Sequence, residues 1–426
     1  MNIYLDMVGC RLNQAEIEQM ARQFRAQGHT IVSTAGAADT VVINTCSVTA
    51  KAASDSRQKI RQAARAGAKE ILVTGCWSTL QPEQAAQLPN VAHVIPNQDK
   101  DDLAVRFGEP EQPLYNIEPI SRLPIPGLRQ RTRAFIKVQD GCDNSCTFCV
   151  TTIARGAGRS RLASDVIADI RAALLGGAQE IVLTGVHLGS WGQDFNLHLR
   201  HLVTQILNET DPPRLRLSSL EPWDLDENFF SLWADGRLCA HLHLPLQSGS
   251  AATLKRMLRK TSPDSFRRLV EAARSFIPGI AITTDMIAGF AGETAAEFDE
   301  TLAFVQEINF AGGHVFTYSA RPGTPAARMR EQVPPELRKQ RSRLLHAAFT
   351  KMSSAYHEQF LGQSLPVLWE ASAVRNERGW QIEGLTGNYI RVTASAPELR
   401  WNHLDVVKLT ALTENGMSGE ISALGD

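Results

Sequence analysis

The 426-residue chain has no run of 18 uninterrupted apolar residues, so a membrane-spanning helix is not expected. Its first ten residues, MNIYLDMVGC, lack the basic flank and apolar core of a secretory leader, and the expected compartment is the cytoplasm. Cysteine is scarce and odd in number, seven in all, spread too thinly for a disulfide framework. That usage fits a reducing compartment and metal binding. A charge surplus is also missing: 44 Lys+Arg against 45 Asp+Glu leave a net charge of −1, so overall balance does not announce a nucleic-acid partner. What is present, 43% hydrophobic and 21% charged residues, is ordinary for a globular protein of two to four domains.

Charge is uneven along the chain. Residues 1–115 carry 11 basic and 12 acidic side chains, residues 116–361 carry 28 and 25, and residues 362–426 carry 5 and 8. Arginines cluster in the middle segment at Arg129, Arg131 and Arg133, at Arg155, Arg159 and Arg161, and at Arg338, Lys339, Arg341 and Arg343. Each cluster alone reads as a solvated face. The first two flank the cysteine loop described next, which favours contact with a phosphate backbone there.

The most informative stretch is GCDNSCTFCV, residues 141–150, which places Cys142, Cys146 and Cys149 in a C-x3-C-x2-C spacing directly after the strand-like FIKVQD. Three thiolates on one loop can hold three irons of a 4Fe-4S cluster, and no fourth cysteine lies nearby to close it. One iron is left open for a ligand, the arrangement of a site that does chemistry.

The segment before it alternates strands and helices: IYLDM, AEIEQMARQFRAQG, TVVINTC, SDSRQKIRQAARAG and EILVTGC. This β-α-β-α order predicts a parallel sheet with helices packed on it. Cys10, Cys46 and Cys76 each follow a strand, and in an open parallel sheet the carboxyl ends of the strands are where ligands bind. Residues from about 101 to 133 lose periodicity and gain proline, predicting a connector with one edge strand at LYNI. Six strand candidates follow, AFIKVQ, EIVLTGV, RLRLSSL, HLHLPLQ, IAITTDMIAG and GHVFTYS, separated by helical patterns. Six units are too few for a closed eight-stranded barrel, so an open partial (β/α)6 barrel is expected, with its site at the strand carboxyl ends. Polar and glycine residues gather at those ends: the cysteine loop, Thr184-Gly185, Ser219 to Glu221, Gln247 to Gly249, Asp285 to Glu293 and Tyr318 to Thr324. Taken singly, Glu221 and His243 read equally well as core or rim groups. Cys239 has no cysteine neighbour and reads as a structural thiol.

The cysteine loop, with Phe148 beside its last cysteine, resembles the signature of the radical S-adenosylmethionine (SAM) enzymes. VGCRLNQAEIE, INTCSVTAKAASDSRQKIR and VTGCW resemble the amino-terminal domain of the methylthiotransferases within that superfamily, and TTDMIAGFAGET and YSARPGTPA resemble two further motifs of theirs. NTCSVTAKA with the SRQKIR helix is most similar to the branch that modifies N6-threonylcarbamoyladenosine in transfer RNA, beside the anticodon. The resemblance covers essentially the whole chain. It implies two 4Fe-4S clusters, one on Cys142, Cys146 and Cys149 that chelates SAM through its open iron, and an auxiliary one on Cys10, Cys46 and Cys76. It also implies SAM contacts from Phe148, Gly185, Glu221, Gln247, Asp285 and Gly289. The implied reaction uses a SAM-derived radical to activate carbon 2 of the adenine and a second SAM to methylate the inserted sulfur. Its implied partners are the tRNA anticodon loop, an electron donor such as flavodoxin or ferredoxin, and a sulfur source. Ala291 and Ile153 stand where the family usually has proline, which bears on loop rigidity. Isopentenyladenosine, or an aspartate of a ribosomal protein, is the alternative substrate. From another class, an RNA-binding protein with structural or redox-sensing clusters is the alternative function.

From Leu365 the pattern changes to five short strands, PVLWEA, GWQIEG, NYIRVTA, DVVKLTAL and GMSGEIS, which predict a small antiparallel barrel of the oligonucleotide-binding kind. It resembles the TRAM domain that ends these enzymes. Trp380, Tyr389 and Arg391 read either as RNA contacts or as barrel-core groups. The expected division is therefore an α/β domain over 1–112, the radical SAM core over 128–360 and the TRAM domain over 361–426.

Overall fold

The computed structural model describes residues 1–103, 132–376 and 379–422. The expected strand LYNI, most of the proline-rich connector, Arg129 and Arg131 lie outside the described residues.

Strands β1 (Asn2–Met7), β2 (Thr30–Ile31), β3 (Thr40–Thr45), β4 (Glu70–Gly75) and β5 (Val91–Val94) form an all-parallel sheet in the order β2-β1-β3-β4-β5. β3, TVVINT, is buried throughout, as a central parallel strand covered on both faces must be. Helix Arg11–Ala26 covers one face with Ile17, Met20, Ala21 and Phe24, and helix Ala50–Arg65 covers the other with Ala53, Ile60 and Ala63. The first helix buries more than one stripe. Ala15 on its other side packs on Phe135 and Val182 of the central domain, and Asn13, Gln14, Glu16 and Glu18 are buried with it.

In the central domain β6 (Ala134–Lys137), β9 (Glu180–Thr184) and β10 (Arg214–Leu217) form one parallel sheet. β11 (His241–His243), β12 (Ala281–Ala288) and β13 (Gly312–Thr317) form another. Parallel bridges at Leu215–Leu238 and Ser219–His243 connect the two, so six strands run in chain order as an open barrel wall. Helices Ala163–Leu175, Leu199–Glu209, Pro263–Phe276 and Ala295–Ile308 pack outside this wall on a single apolar core that includes Ile170, Leu202, Phe266 and Phe304. A two-residue antiparallel pairing of β7 (Gln139–Asp140) with β8 (Arg159–Ser160) clasps the two ends of the cysteine loop.

Helix Pro335–Glu358 leads to a closed five-stranded barrel in the order β14-β15-β16-β18-β17, built from β14 (Ser364–Asn376), β15 (Gly379–Thr386), β16 (Arg391–Ala396), β17 (Leu404–Thr413) and β18 (Gly416–Ile421). Val367, Trp369, Ile382, Val392, Val407 and Met417 fill it. Arg214 donates to the Leu385 carbonyl at 2.9 Å, and Arg216 donates to the Thr386 and Gly387 carbonyls at 3.2 and 3.0 Å. The aromatic residue placed among possible RNA contacts, Tyr389, instead stacks on His241 of the central domain with ring centroids 4.5 Å apart. Its ring also lies under the guanidiniums of Arg11, Arg133 and Arg216. It is inter-domain cement: the buried Arg133 and Arg216 and the half-buried Arg11 share its π face. Trp380 lies under Arg375, and Arg391 is exposed and paired with Glu383.

The arginine clusters also change meaning. Arg133 is buried and paired with Glu370, Arg341 is buried on Glu293, and Arg338 donates to the Tyr318 carbonyl. These cations answer internal carboxylates and carbonyls and do not track phosphates. Among the described residues, no helix is long and apolar enough to cross a membrane.

Candidate active site

The cysteine loop is fixed by its backbone before its thiols are considered. Gly141 has φ +70°, and a Cβ there would collide with the Ala157 carbonyl, so only glycine fits the turn out of β7. Gln139 bonds the carbonyls of Asp140 and Gly141 at 2.9 and 2.8 Å, and the Cys142 N–H donates to the Gly156 carbonyl. The thiols then receive donors. The Asn144 N–H lies 3.5 Å from Cys142 Sγ, the Thr151 N–H lies 3.4 Å from Cys149 Sγ, and Arg259 Nη1 lies 3.7 Å from Cys146 Sγ. Burial raises the pKa of Cys146 and Cys149, while Arg259 opposes the rise at the first and Thr151 at the second. His187 stands over Cys142. Burial alone would lower its pKa, but hydrogen bonds to Asp224, at 2.5 Å, and to Cys142 outweigh that and push it up to about 10. An imidazolium and a guanidinium beside three thiols favour the thiolate forms that an iron cluster requires.

Cys10, Cys46 and Cys76 come together at the carboxyl edge of the first sheet. Cys10 precedes helix Arg11–Ala26, Cys46 follows β3, and Cys76 opens helix Cys76–Leu80 after β4. Burial, with the neighbouring Cys10 and Cys76 adding to it, pushes the Cys46 thiol up to about 12. Gly9, at φ +114°, lies against Cys46 so closely that a Cβ would sit 2.6 Å from its Sγ. All seven cysteines are free. Among the described residues no His, Cys, Asp or Glu cluster is drawn tightly enough around one point to hold a single metal ion. Two trios of unpaired thiols, each at a strand end and each with a cation beside it, are a donor set for a wider cage of irons.

One buried network joins the two trios. Arg155, only 2% exposed, reaches Cys76 Sγ with Nε at 3.3 Å, Glu16 and Asp140 with Nη1 at 2.8 Å each, and Asn13 with Nη2 at 3.0 Å. Lys100 and Lys137 add contacts to Glu16 and Asp140 at 2.7 and 2.9 Å. Burial would raise Glu16, but Arg155, Lys100 and Lys137 hold it down at about 2. Asp140 is likewise held well below the usual carboxylate range. The expected phosphate contact at Arg155 is therefore replaced by a structural one. Arg161 pairs with Asp169, which leaves Arg159 as the exposed member of that cluster.

The structure gathers the remaining sequence-predicted residues at the same strand ends. Glu221 forms an ion pair of 2.6 Å with Arg259, whose guanidinium lies over Trp223. Gln247, at φ +75°, donates its N–H to the Asp285 carbonyl, and Asp285 Oδ1 is 3.3 Å from His243 Nε2. Gly185 lies against Gln139, and Gly289, at φ +72°, lies against Arg338 and donates to Glu293. Phe148 packs edge-on to Phe290 in an apolar cluster with Met257 and Tyr318. Cys239 is buried away from both trios, below Arg216. The sequence reading missed Arg259, His187, Asp224, Asn13, Glu16, Asp140, Lys100 and Lys137. Asn13, Glu16 and Asp140 lie within a few residues of the cysteines, but no spacing rule says that a charged group in an amphipathic helix will be buried by a second domain.

Comparison with known proteins follows the same division. Residues 2–96 match the uncharacterized protein family UPF0004, and residues 136–305 match the Radical SAM superfamily. The chain is 35% identical to threonylcarbamoyladenosine tRNA methylthiotransferase MtaB of Bacillus subtilis, over 92% of this chain and 90% of that one. It is 35% identical to the enzyme of the same name from Thermotoga maritima, over 86% of each. It is 32% identical to tRNA-2-methylthio-N(6)-dimethylallyladenosine synthase of Sphingopyxis alaskensis, over 97% and 96%. Among solved structures, a radical S-adenosylmethionine methyltransferase, TsrM, from Kitasatospora setae aligns with TM-score 0.58 at 15% identity over 76% of each chain, a likeness of fold alone.

Proposed function

The chain belongs to the radical SAM methylthiotransferases, and from that premise we propose that it inserts a methylthio group at carbon 2 of N6-threonylcarbamoyladenosine next to the tRNA anticodon. Membership implies SAM and a 4Fe-4S cluster; the proposal assigns that cluster to Cys142, Cys146 and Cys149, and a second one to Cys10, Cys46 and Cys76. When bound, these groups supply one-electron radical chemistry and the sulfur to be transferred. The chain's own residues do the rest. Gly141 and Gln139 set the loop, Arg259 and His187 supply positive charge beside its thiols, and Glu221 fixes the orientation of Arg259. Helix Arg11–Ala26, laid over the barrel wall, holds Asn13 and Glu16 on the Arg155 network beside Cys76.

One observation carries the proposal. Helix Thr151–Arg155 has five residues, about 7 Å of rise. The N–H of its first residue lies on Cys149 Sγ and the guanidinium of its last on Cys76 Sγ. A single short helix thus spans the two trios, which is what a reaction needing a radical centre and a sulfur source around one base requires. The substrate is supported by the 35% identity to two threonylcarbamoyl-specific relatives, against 32% for the dimethylallyl-specific one, a level that two further threonylcarbamoyl-specific relatives share.

The test uses anaerobically reconstituted protein, SAM, a reductant and sulfide, with an anticodon stem-loop RNA carrying N6-threonylcarbamoyladenosine. Mass spectrometry of the nucleosides should show its 2-methylthio derivative. Cys146→Ala should abolish 5'-deoxyadenosine formation, whereas Cys46→Ala should retain it and lose the product. Full methylthiolation by Cys46→Ala would sink the assignment of the second trio.

A further inference from the structure

Between the first residues of β11, β12 and β13, helix Pro335–Glu358 and the carboxyl-terminal barrel lies a recess of about 220 Å³, apart from the six cysteines of the two trios. This is smaller than the roughly 300 Å³ at which pockets for a drug-sized ligand begin. It has room for a nucleoside's substituent and not for the nucleoside. His241, His243, His314, Tyr389 and Arg11 line it. Arg11 is the first residue of the helix that Cys10 caps, so the recess and one thiol of the second trio share that helix start. Among the described residues Arg11 has no carboxylate partner. Nη2 donates to the Tyr389 phenol oxygen at 2.6 Å, and the remaining N–H groups of the fork are open to a further acceptor. His241 is 2% exposed, its ring bonds Thr283 through Nε2 at 3.0 Å, and its Nδ1 is buried with no hydrogen-bond partner. A buried, unpartnered ring nitrogen costs free energy unless a ligand satisfies it. His243, also in the lining, is engaged through Nε2 by Asp285 at 3.3 Å.

We infer that this recess is the subsite for the carboxylate-bearing substituent on N6 of the target adenosine, with Arg11 as its anion anchor. The inference rests on the function proposed above and adds a residue-level account of how it chooses its substrate. Carbon 6 of adenine is separated from carbon 2 by one ring nitrogen, so with carbon 2 at the reaction centre the N6 substituent must project sideways into a neighbouring space. A threonylcarbamoyl group ends in a carboxylate and a hydroxyl, which a guanidinium fork and an imidazole N–H satisfy. A dimethylallyl group would strip water from the same polar groups and give nothing back, and such mismatches are strongly discriminating.

The experiment compares two anticodon stem-loop RNAs in the full-length reconstituted enzyme, one with N6-threonylcarbamoyladenosine and one with its carboxylate converted to the carboxamide. Wild-type enzyme should prefer the acid about 10- to 100-fold in kcat/KM, the range of a charge-assisted hydrogen-bond pair. In Arg11→Gln that preference should fall to near unity, and in Arg11→Lys it should lie between, since the charge stays and the fork is lost. If the wild-type enzyme converts acid and carboxamide equally well, the subsite assignment is overturned while the proposed function stands, and this result does not depend on any variant folding. An unchanged preference in Arg11→Gln would move the anchor elsewhere and overturn it too. If wild-type enzyme ignores both RNAs and converts one carrying N6-dimethylallyladenosine, the proposed function itself fails.

Discussion

Arg155 sits where a thiol, two carboxylates and an amide oxygen converge, and its removal would leave Glu16 and Asp140 buried with Lys100 and Lys137 as their remaining cations. Deleting one partner of a buried ion network costs far more than the network contributes in sum, because the abandoned charges stay desolvated. Arg155→Met is expected to destabilise the protein by about 3 kcal/mol in anaerobic urea unfolding, and a loss below about 1 kcal/mol would mean that the lysines suffice. The residue lies six positions after Cys149, and the sequence shows it plainly as a basic group near the loop. Its partners could not be read from there, since Glu16 and Cys76 are 139 and 79 residues away in the chain. For Cys10, Cys46, Cys76 and the loop cysteines the reverse holds. Their spacing, and their place after strands, is local information, and local information survives without tertiary structure.

At the scale of elements, the first domain's strand ends are shaped by glycine. Gly9 and Gly75 both hold positive φ, and the space a side chain would need is filled by Cys46 in the first case and by the Thr45 backbone in the second. Gly9→Ala therefore combines a strained φ with a contact on Cys46 Sγ that only displacement of the thiol relieves. On the proposed assignment of a second cluster to Cys10, Cys46 and Cys76 the expected outcome is selective: anaerobically reconstituted protein should fall from about eight irons per chain toward about four, with 5'-deoxyadenosine formation from SAM retained. A full complement of iron in this variant would show that Cys46 is free to move. The parallel order of the strands was legible, because buried runs such as TVVINT separated by amphipathic helices allow little else. The degree of burial of helix Arg11–Ala26 was not, because its polar side is polar in sequence and becomes interior only when the barrel wall closes over it.

Across the whole molecule, Glu180 at the base of the barrel wall ties the central domain to the last one. Burial would raise its pKa, but Arg214 and Arg216 hold it down at about 2, and those same arginines donate to carbonyls of the carboxyl-terminal barrel. A carboxylate held down in the folded state contributes stability that is fully present above its ordinary value of about 4.5 and is lost as pH falls toward 2. That contribution is on the order of 3 kcal/mol, so the urea midpoint of the wild-type protein should drop across this window. The drop should be shallower in Glu180→Gln, and equal slopes would rule out this carboxylate as its source. By itself the sequence determined the strand-and-helix order of the three parts and the placement of six cysteines in two trios at strand ends, because each rests on periodicity or spacing within a few tens of residues. Only the tertiary structure decided that Tyr389 is a clamp between domains, that most of the described arginines in the basic clusters answer internal acceptors, and that Arg11 faces an otherwise unclaimed recess. Those outcomes depend on which desolvated charges meet across domain boundaries, a balance set by through-space distance that the order of residues along one segment does not encode.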